Sequence, residues 1–267
     1  MINNLEFDHA DIYRDLEDIV KQFRYYLRTL VPGAVVVYPK DSEVIDRLVA
    51  EAFWVQACPT HGENSGEYWC VQKVSEDWSE FLIIDGEGYK HCVQWDLFGQ
   101  HNAENALTVM RGAVAIGFDV MAVAAALSSF RGVKKRMQKI GISRDNQEVW
   151  DDYAHHPTAI KKVIAACRKR FDSGRLVMCF QFSNYTQARG VMWRELVEAS
   201  EGCDVVLLVD QGGVFPYQDF KAAHTKPVQI IGAETTISEV QGILQPGDRI
   251  VTCGSRDCTH IHDKILA

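Results

Sequence analysis

The sequence predicts an α/β protein in two parts, the second a doubly wound domain on a mostly parallel sheet. Three observations predict it. From Glu148 onward, short apolar strands alternate with helical periods, an order that requires right-handed crossovers and helices on both faces of the sheet. The first part interleaves strands and helices of its own. The chain has 267 residues, more than one ordinary domain of roughly 100–200 residues, and its 47% hydrophobic and 24% charged residues supply a packed core.

Each element has its own warrant. From Asp11, the apolar residues Ile12, Leu16, Ile19, Phe23, Leu27 and Leu30 recur at steps of three and four, one stripe of an amphipathic helix that Pro32-Gly33 stops. A β-branched run over Ala34–Tyr38 reads as a strand, Glu43–Phe53 as a helix, and Phe81–Ile84 as a strand before the hairpin-type turn Asp85-Gly86-Glu87-Gly88. Pro59–Asn64 has turn composition and no period, so it reads as a loop. Asn102–Ile116 and Val120–Phe130 are alanine-rich helices, and Arg131-Gly132 breaks the pattern, which places the domain boundary at 130/131. The second part then runs strand 148–152, helix 158–170, strand 176–182, helix 190–200, strands 205–209 and 228–231, helix 237–244, strand 249–253 and helix 259–266. In such sheets ligands lie at the carboxyl ends of the strands, so the residues after Asp152, Phe182, Val209 and Cys253 are the places for chemistry.

Charge narrows the partners. The formal net charge is −8, which repels nucleic acid and offers nothing polybasic to anionic lipid, while leaving room for a local cationic pocket. No run approaches the 18 or so apolar residues of a membrane span, and the first residues lack a signal-peptide pattern, so the expected compartment is the cytosol. Most of the eight cysteines sit in apolar runs and read as reduced, buried thiols. Cys253, Cys258, His260 and His262 are potential zinc ligands, but their spacing fits no standard knuckle and Thr252-Cys253-Gly254-Ser255 reads better as a strand turning into a helix.

Four strings carry chemistry. Glu6-Phe7-Asp8-His9-Ala10-Asp11 gathers three carboxylates and an imidazole before a helix, suited to a divalent cation on a nucleotide, although Asp8 and Asp11 also read as helix-start residues. In Gly99–Ala106, Asn102 and Asn105 share a helical face with His101 beside them, two carboxamides able to meet a purine edge, against the plainer reading of a polar first turn. Lys134-Lys135-Arg136 sets three cations next to Gly132-Val133, which suits phosphate and also suits a solvated linker. Asp151-Asp152-Tyr153-Ala154-His155-His156-Pro157 ends a strand and opens a helix. There Asp152 is an acceptor for ribose hydroxyls, and His155 and His156 are donors to phosphate or carboxylate. No G-x-x-x-x-G-K-[ST], no G-x-G-x-x-G after a strand and no G-x-S-x-G occurs.

In this order and spacing the strings resemble the Mur ligases of peptidoglycan synthesis. Asn4–Tyr13 is similar to N-[IL]-E-x-D-H-x-D-x-[FY], Gly99–Ala106 to G-x-H-N-x-x-N-A, Gly132–Met137 to G-V-K-R-R-[MF], and Asp151–Pro157 matches D-D-[YF]-A-H-H-P of the branch that uses UDP-N-acetylmuramate. The resemblance runs from residue 3 to the end and lies nearest the branch that attaches a murein tripeptide, with the L-alanine-adding branch next. It implies the C-terminal part of a central ATP-binding domain over 1–130, then a Rossmann-like C-terminal domain over 131–267. The implied reaction is ADP-forming amide synthesis through an acyl phosphate, with ATP and Mg2+ as cofactors and UDP-N-acetylmuramate and a murein peptide as substrates. By resemblance, His9 is a magnesium ligand, and His101, Asn102 and Asn105 face adenine and its sugar. Lys135 and Arg136 face phosphate, Asp152 faces ribose, and Tyr153, His155 and His156 face the reacting end, with His155 and Arg136 closest to the chemistry. Ser183 and Asn184 fall in the substrate-binding stretch.

Some positions depart from the family pattern. Phe182 or Ser183 stands where a family arginine is expected, Lys135 replaces an arginine, and the turn Cys253–Cys258 is altered. The sequence begins after the place where relatives carry a UDP-binding domain and a P-loop, so the chain by itself is expected not to turn over ATP. A second reading is a non-catalytic nucleotide-binding relative, or one half of a split ligase that pairs with a missing front half or with itself. A Rossmann-type oxidoreductase is disfavoured by the absent glycine fingerprint.

Overall fold

The computed structural model describes residues 1–266 apart from 64, 65, 67, 68, 183, 184, 213 and 233. The chain divides into two compact units, Met1–Arg131 and Gly132–Ala267.

The first unit runs α1 (Leu16–Arg28), β1 (Val35–Pro39), α2 (Glu43–Ala50), β2 (Gln56–Thr60), β3 (Cys70–Lys73), β4 (Glu80–Ile84), β5 (Lys90–Gln94), α3 (Gln100–Ala115) and α4 (Val120–Ser129). β1 and β2 pair in parallel, while β3, β4 and β5 form an antiparallel meander. Val20 and Leu27 of α1 pack with Val36, Tyr38, Ile45 and Leu48 into one core. A second core joins Phe81, Ile83 and Val93 of the meander to Leu107, Met110 and Leu127 of α3 and α4. The alternation in β5, exposed at Lys90, Cys92 and Gln94 and buried at His91 and Val93, is that of a strand with one wet face.

Two expectations are corrected here. α1 begins at Leu16 rather than Asp11: Asp15, extended at φ −157, accepts from the Asp18 N–H and caps the helix, leaving Ile12 66% exposed outside it. Pro59 and Thr60 belong to β2 rather than to a loop. Pro59 sits opposite Tyr38 in this two-stranded pair, where the outer edge asks no N–H of it.

The second unit runs β6 (Gln138–Ile142), β7 (Glu148–Asp152), α5 (Pro157–Arg170), β8 (Leu176–Gln181), α6 (Tyr185–Ala188), α7 (Trp193–Ser200), β9 (Val205–Val209), α8 (Tyr217–Ala223), β10 (Val228–Ile231), α9 (Ile237–Ile243), β11 (Arg249–Gly254) and α10 (Thr259–Leu266). Its six strands lie in the order β10-β9-β8-β11-β7-β6, parallel except for the β6–β7 pair. β8 and β9 are buried at every residue, as strands covered on both faces must be. Val240, Leu244, Ile261 and Ile265 of α9, α10 and the segment after α9 close one face over Val149, Val177, Leu207 and Ile250.

β11 returns from the far side of the sheet to lie between β7 and β8, so the chain reverses direction across the sheet there. Ligands gather at the carboxyl ends of strands beside such a reversal. The ends of β8 and β11 touch: a Cβ on Gly254 would lie 2.7 Å from the Gln181 carbonyl oxygen, so only glycine closes this edge without displacement.

Candidate functional site

On the first unit, the first two strings meet. Ile2 adds to the edge of β1 through its N–H to the Val37 carbonyl (2.9 Å), which brings Asn3 to α3, where its Nδ2 donates to Asn105 Oδ1 at 2.7 Å. Further on, His9 takes a left-handed φ of 56°, its N–H on Asp8 Oδ1 (2.7 Å) and its carbonyl accepting from Ile12 and Tyr13. Asp8 and Asp11 therefore belong to a turn, not to a helix start, and the His9 side chain is exposed.

α3 opens at Gly99, whose φ of 91° is a conformation glycine adopts without strain. His101 and Asn102 are half-buried in the first turn, and Asn105 is exposed one turn on. Asn102 Nδ2 donates to the Phe98 carbonyl at 2.7 Å, tying the helix start to the preceding loop. Each carboxamide is thus half committed. Among the described residues, the Asn102 oxygen and the Asn105 amide nitrogen keep no protein partner, which leaves one acceptor and one donor on a common helical face. A purine edge such as that of adenine offers the complementary donor and acceptor, so these residues fit the group.

On the second unit, the other two strings lie against each other at the carboxyl end of β7. The Tyr153 N–H donates to the Lys135 carbonyl (2.8 Å), and Asp152 bridges them. Its Oδ2 accepts from Met137 N at 2.8 Å and its Oδ1 from Ala154 N at 2.7 Å. Asp152 is 3% exposed, and burial pushes its carboxyl up although the two amides and Arg136 pull it down. Asp152, expected at ribose, is an enclosed carboxylate that holds two backbone amides and latches the two strings together.

Lys135 and Met137 both take left-handed φ values, 57° and 45°, so successive side chains turn opposite ways. Lys135, expected at phosphate, bonds the Arg256 carbonyl through Nζ and lies 3.9 Å from Asp151 Oδ2, with its side chain 25% exposed. Arg136 points outward over the Tyr153 ring, 5.2 Å from its centroid, and Tyr153 meets the His155 ring edge-on at 5.1 Å. Nδ1 of His155 donates to the Tyr153 carbonyl at 2.8 Å, since a carbonyl only accepts, so in the neutral ring Nε2 carries the lone pair. His156 is the N-cap of α5, with Pro157 in the first turn and the Thr158 N–H on its Nδ1 at 3.4 Å.

Sequence reasoning missed a buried polar chain beneath this surface. Thr252 Oγ1 donates to Asp151 Oδ1 (2.9 Å) and lies 2.8 Å from His262 Nε2, while Cys258 Sγ lies 3.0 Å from Gln181 Oε1. Burial pushes His262 down against the pull of Asp151 and Asp257, and pushes the Cys258 thiol up to about 11. The available signal was a threonine inside the apolar run Ile250-Val251-Thr252-Cys253 of β11. Of the zinc candidates, Cys253 is buried in β11, Cys258 and His262 carry the contacts just given, and His260 is exposed. Among the described residues no three histidine, cysteine or carboxylate side chains converge as for a metal ion. Magnesium needs only one or two protein ligands beside water and phosphate, so His9 with the neighbouring carboxylates fits it as a single point of attachment.

Phe182 cannot stand in for a carboxylate-binding arginine. It is 3% exposed and stacked on Phe180 at 5.4 Å, with Phe215 at 5.0 Å. Ser183 and Asn184 lie outside the described residues.

Comparison with known proteins decides the family. Residues 1–113 match the Mur ligase middle domain, and residues 135–256 match the Mur ligase glutamate ligase domain. The chain carries the middle and C-terminal domains of the Mur ligase family. It is 32% identical, over its whole length and 58% of the relative, to the UDP-N-acetylmuramate–L-alanyl-gamma-D-glutamyl-meso-2,6-diaminoheptandioate ligase of Escherichia coli. The crystal structure of a murein peptide ligase from Psychrobacter arcticus 273-4 matches with a TM-score of 0.67 at 24% identity, over 99% of this chain and 56% of that one. The MurF ligase of Thermotoga maritima in complex with ADP matches at 0.74 and 13% identity, over 99% and 59%. The chain thus spans a little over half the length of these relatives. Among the described residues no helix is long and apolar enough to cross a membrane.

Proposed function

We propose that these two units supply the nucleotide-facing and substrate-facing surfaces of an ATP-dependent, ADP-forming ligase that joins UDP-N-acetylmuramate to a peptide, with L-Ala-γ-D-Glu-meso-diaminopimelate as the preferred partner. The single observation that carries the reading is the Asp151–Pro157 string, latched by Asp152 against Gly132–Met137 so that Arg136, Tyr153 and His155 form one outward stack. ATP supplies the phosphoryl group that activates the muramyl carboxylate, and magnesium bound with it screens phosphate charge. His9 would be the chain's attachment to that ion.

Asn102 and Asn105 would hold the adenine edge, with His101 beside them. The outward guanidinium of Arg136, oriented by the Tyr153 ring, neutralises charge developing on phosphate. His155, its ring held by the Nδ1 bond to the Tyr153 carbonyl, takes the proton released when the peptide amine attacks the acyl phosphate and phosphate leaves. His156 holds the start of the helix on which this edge rests. Eight free thiols fit a reducing, cytoplasmic setting.

The P-loop motif G-x-x-x-x-G-K-[ST] does not occur in the 267 residues. A second reading follows from β1 and β2: a parallel sheet of only two strands is rare unless further strands extend it, which favours a complementing segment that carries such a loop. Titration calorimetry with ADP and Mg2+ tests the nucleotide face, and Asn105→Leu is expected to weaken binding about tenfold, roughly 1.4 kcal/mol. ADP release with UDP-N-acetylmuramate and the tripeptide is expected only when a polypeptide bearing the P-loop is added. Absence of ADP binding at millimolar concentration, or an unchanged affinity in the variant, would refute the assignment.

A further inference from the structure

The first unit holds a pocket that the nucleotide reading does not use. It has a volume of about 740 Å³ and opens between the β4–β5 turn and the α3–α4 corner. None of its lining residues belongs to the four strings. Val114, Val120 and Met121 form an apolar wall, and Trp69 and Tyr89 contribute rings. Trp69 is fixed in place: Arg111 stacks over it at 4.8 Å, and a Cβ on Gly86 would lie 2.7 Å from its Nε1.

Two buried polar side chains, Asp85 and His91, also line the pocket, each 7% exposed. His91 Nε2 lies 2.7 Å from Asp85 Oδ2, and Asp85 Oδ1 accepts from the N–H groups of Glu87 (2.8 Å) and Tyr89 (3.0 Å). Burial pushes the Asp85 carboxyl up, but these hydrogen bonds outweigh it and hold it below the ordinary carboxylate range. An ionised carboxylate only accepts, so Nε2 of His91 carries the proton and, in the neutral ring, Nδ1 presents a lone pair. Among the described residues Nδ1 has no protein partner, and His91 is one of the residues that line the pocket.

The rim has a sign. The lining carries two carboxylates, Asp85 and Glu87, against one ammonium, Lys90, which bonds Gln72 Oε1 at 3.2 Å. Tyr89 and Met121, both 64% exposed, leave apolar surface at the mouth.

We propose that this pocket binds a planar aromatic ligand, neutral or cationic, whose ring N–H or O–H donates to His91 Nδ1. The volume lies within the range of small-molecule sites, about 300–1,000 Å³. The two rings, the methionine and the two valines of the lining supply the apolar contacts that a flat ring makes, and thioether sulfur also binds such rings. The Asp85–His91 pair supplies the polar contact that fixes orientation, and the surplus of one carboxylate in the lining disfavours anions.

Calorimetric titration of the whole chain with indole, 1-methylindole and indole-3-carboxylate tests this, since the three share a ring and differ in donor and charge. Indole is expected to saturate with a Kd near or below about 1 mM, and each of the others to bind at least fivefold more weakly. Met121→Arg and Tyr89→Ala, at exposed positions on which the fold does not rest, are each expected to weaken indole by a similar factor. No saturation by indole, equal binding of 1-methylindole or of the carboxylate, or indole binding unchanged in both variants would overturn the proposal. ADP binding is expected to stay the same in both variants, so failure here is separable from failure of the nucleotide reading.

Discussion

A single histidine illustrates how burial decides charge. His224 is 8% exposed at the end of α8, with Nε2 3.0 Å from Ser200 Oγ and Nδ1 accepting from the Lys226 N–H at 3.0 Å. The amide fixes the tautomer: Nδ1 bears the lone pair and Nε2 the proton, so the nearby serine is not activated despite its triad-like company. Burial pushes His224 down, against the pull of Glu201, and burial lowers His262 as well. The unfolded chain therefore binds protons that the folded one refuses. Stability is complete above the ordinary histidine range and is lost as pH falls through about 6.5 toward the depressed folded values. Urea denaturation at pH 7.5 and 5.5 is expected to show a drop. In His224→Gln the drop is expected to be smaller, by up to ~1.4 kcal/mol per pH unit across the window for the one proton removed.

At the scale of elements, α5 separates a structural role from a chemical one. His156 both caps the helix and stands beside His155. Serine is a better N-cap, so His156→Ser is expected to hold unfolding free energy within about 0.5 kcal/mol or raise it slightly. A loss of ligation in a complemented enzyme with stability intact would assign the imidazole to substrate, whereas parallel losses would leave it a cap. Elements with strong periodicity were legible in the sequence: α3, α4, α5 and the apolar strands β8 and β9 fall within a residue or two of their expected bounds. β6 was not, because its pairing with β7 shifts register between Lys139 and Gly141 and breaks the alternation. The short strands β3 and β5 hid for another reason: their mixed polarity becomes a pattern only once β4 lies between them. In the site, the strings were legible as composition, but the left-handed turn at Lys135 and the enclosure of Asp152 depend on backbone angles that no spacing reveals.

For the whole molecule, each unit has its own cores, and the boundary falls at Arg131/Gly132. Gly132 has φ 83°, and Arg131, Val133 and Lys134 around it are exposed or nearly so. Limited trypsin digestion is expected to cut first after Arg131 or Lys134 and to leave two fragments that resist further cleavage. Early cuts scattered through either unit, detected by mass spectrometry, would show that neither is an independent folding unit.

The left-handed pair at Lys135 and Met137 makes reading frame matter more than total charge in Gly132–Met137. Loss or gain of one residue there would exchange which cation is sequestered by Asp151 and which is presented outside. A homologue with the same number of lysines and arginines but shifted by one place would offer its anion-binding group to the carboxylate and carbonyl that hold Lys135 instead of to solvent.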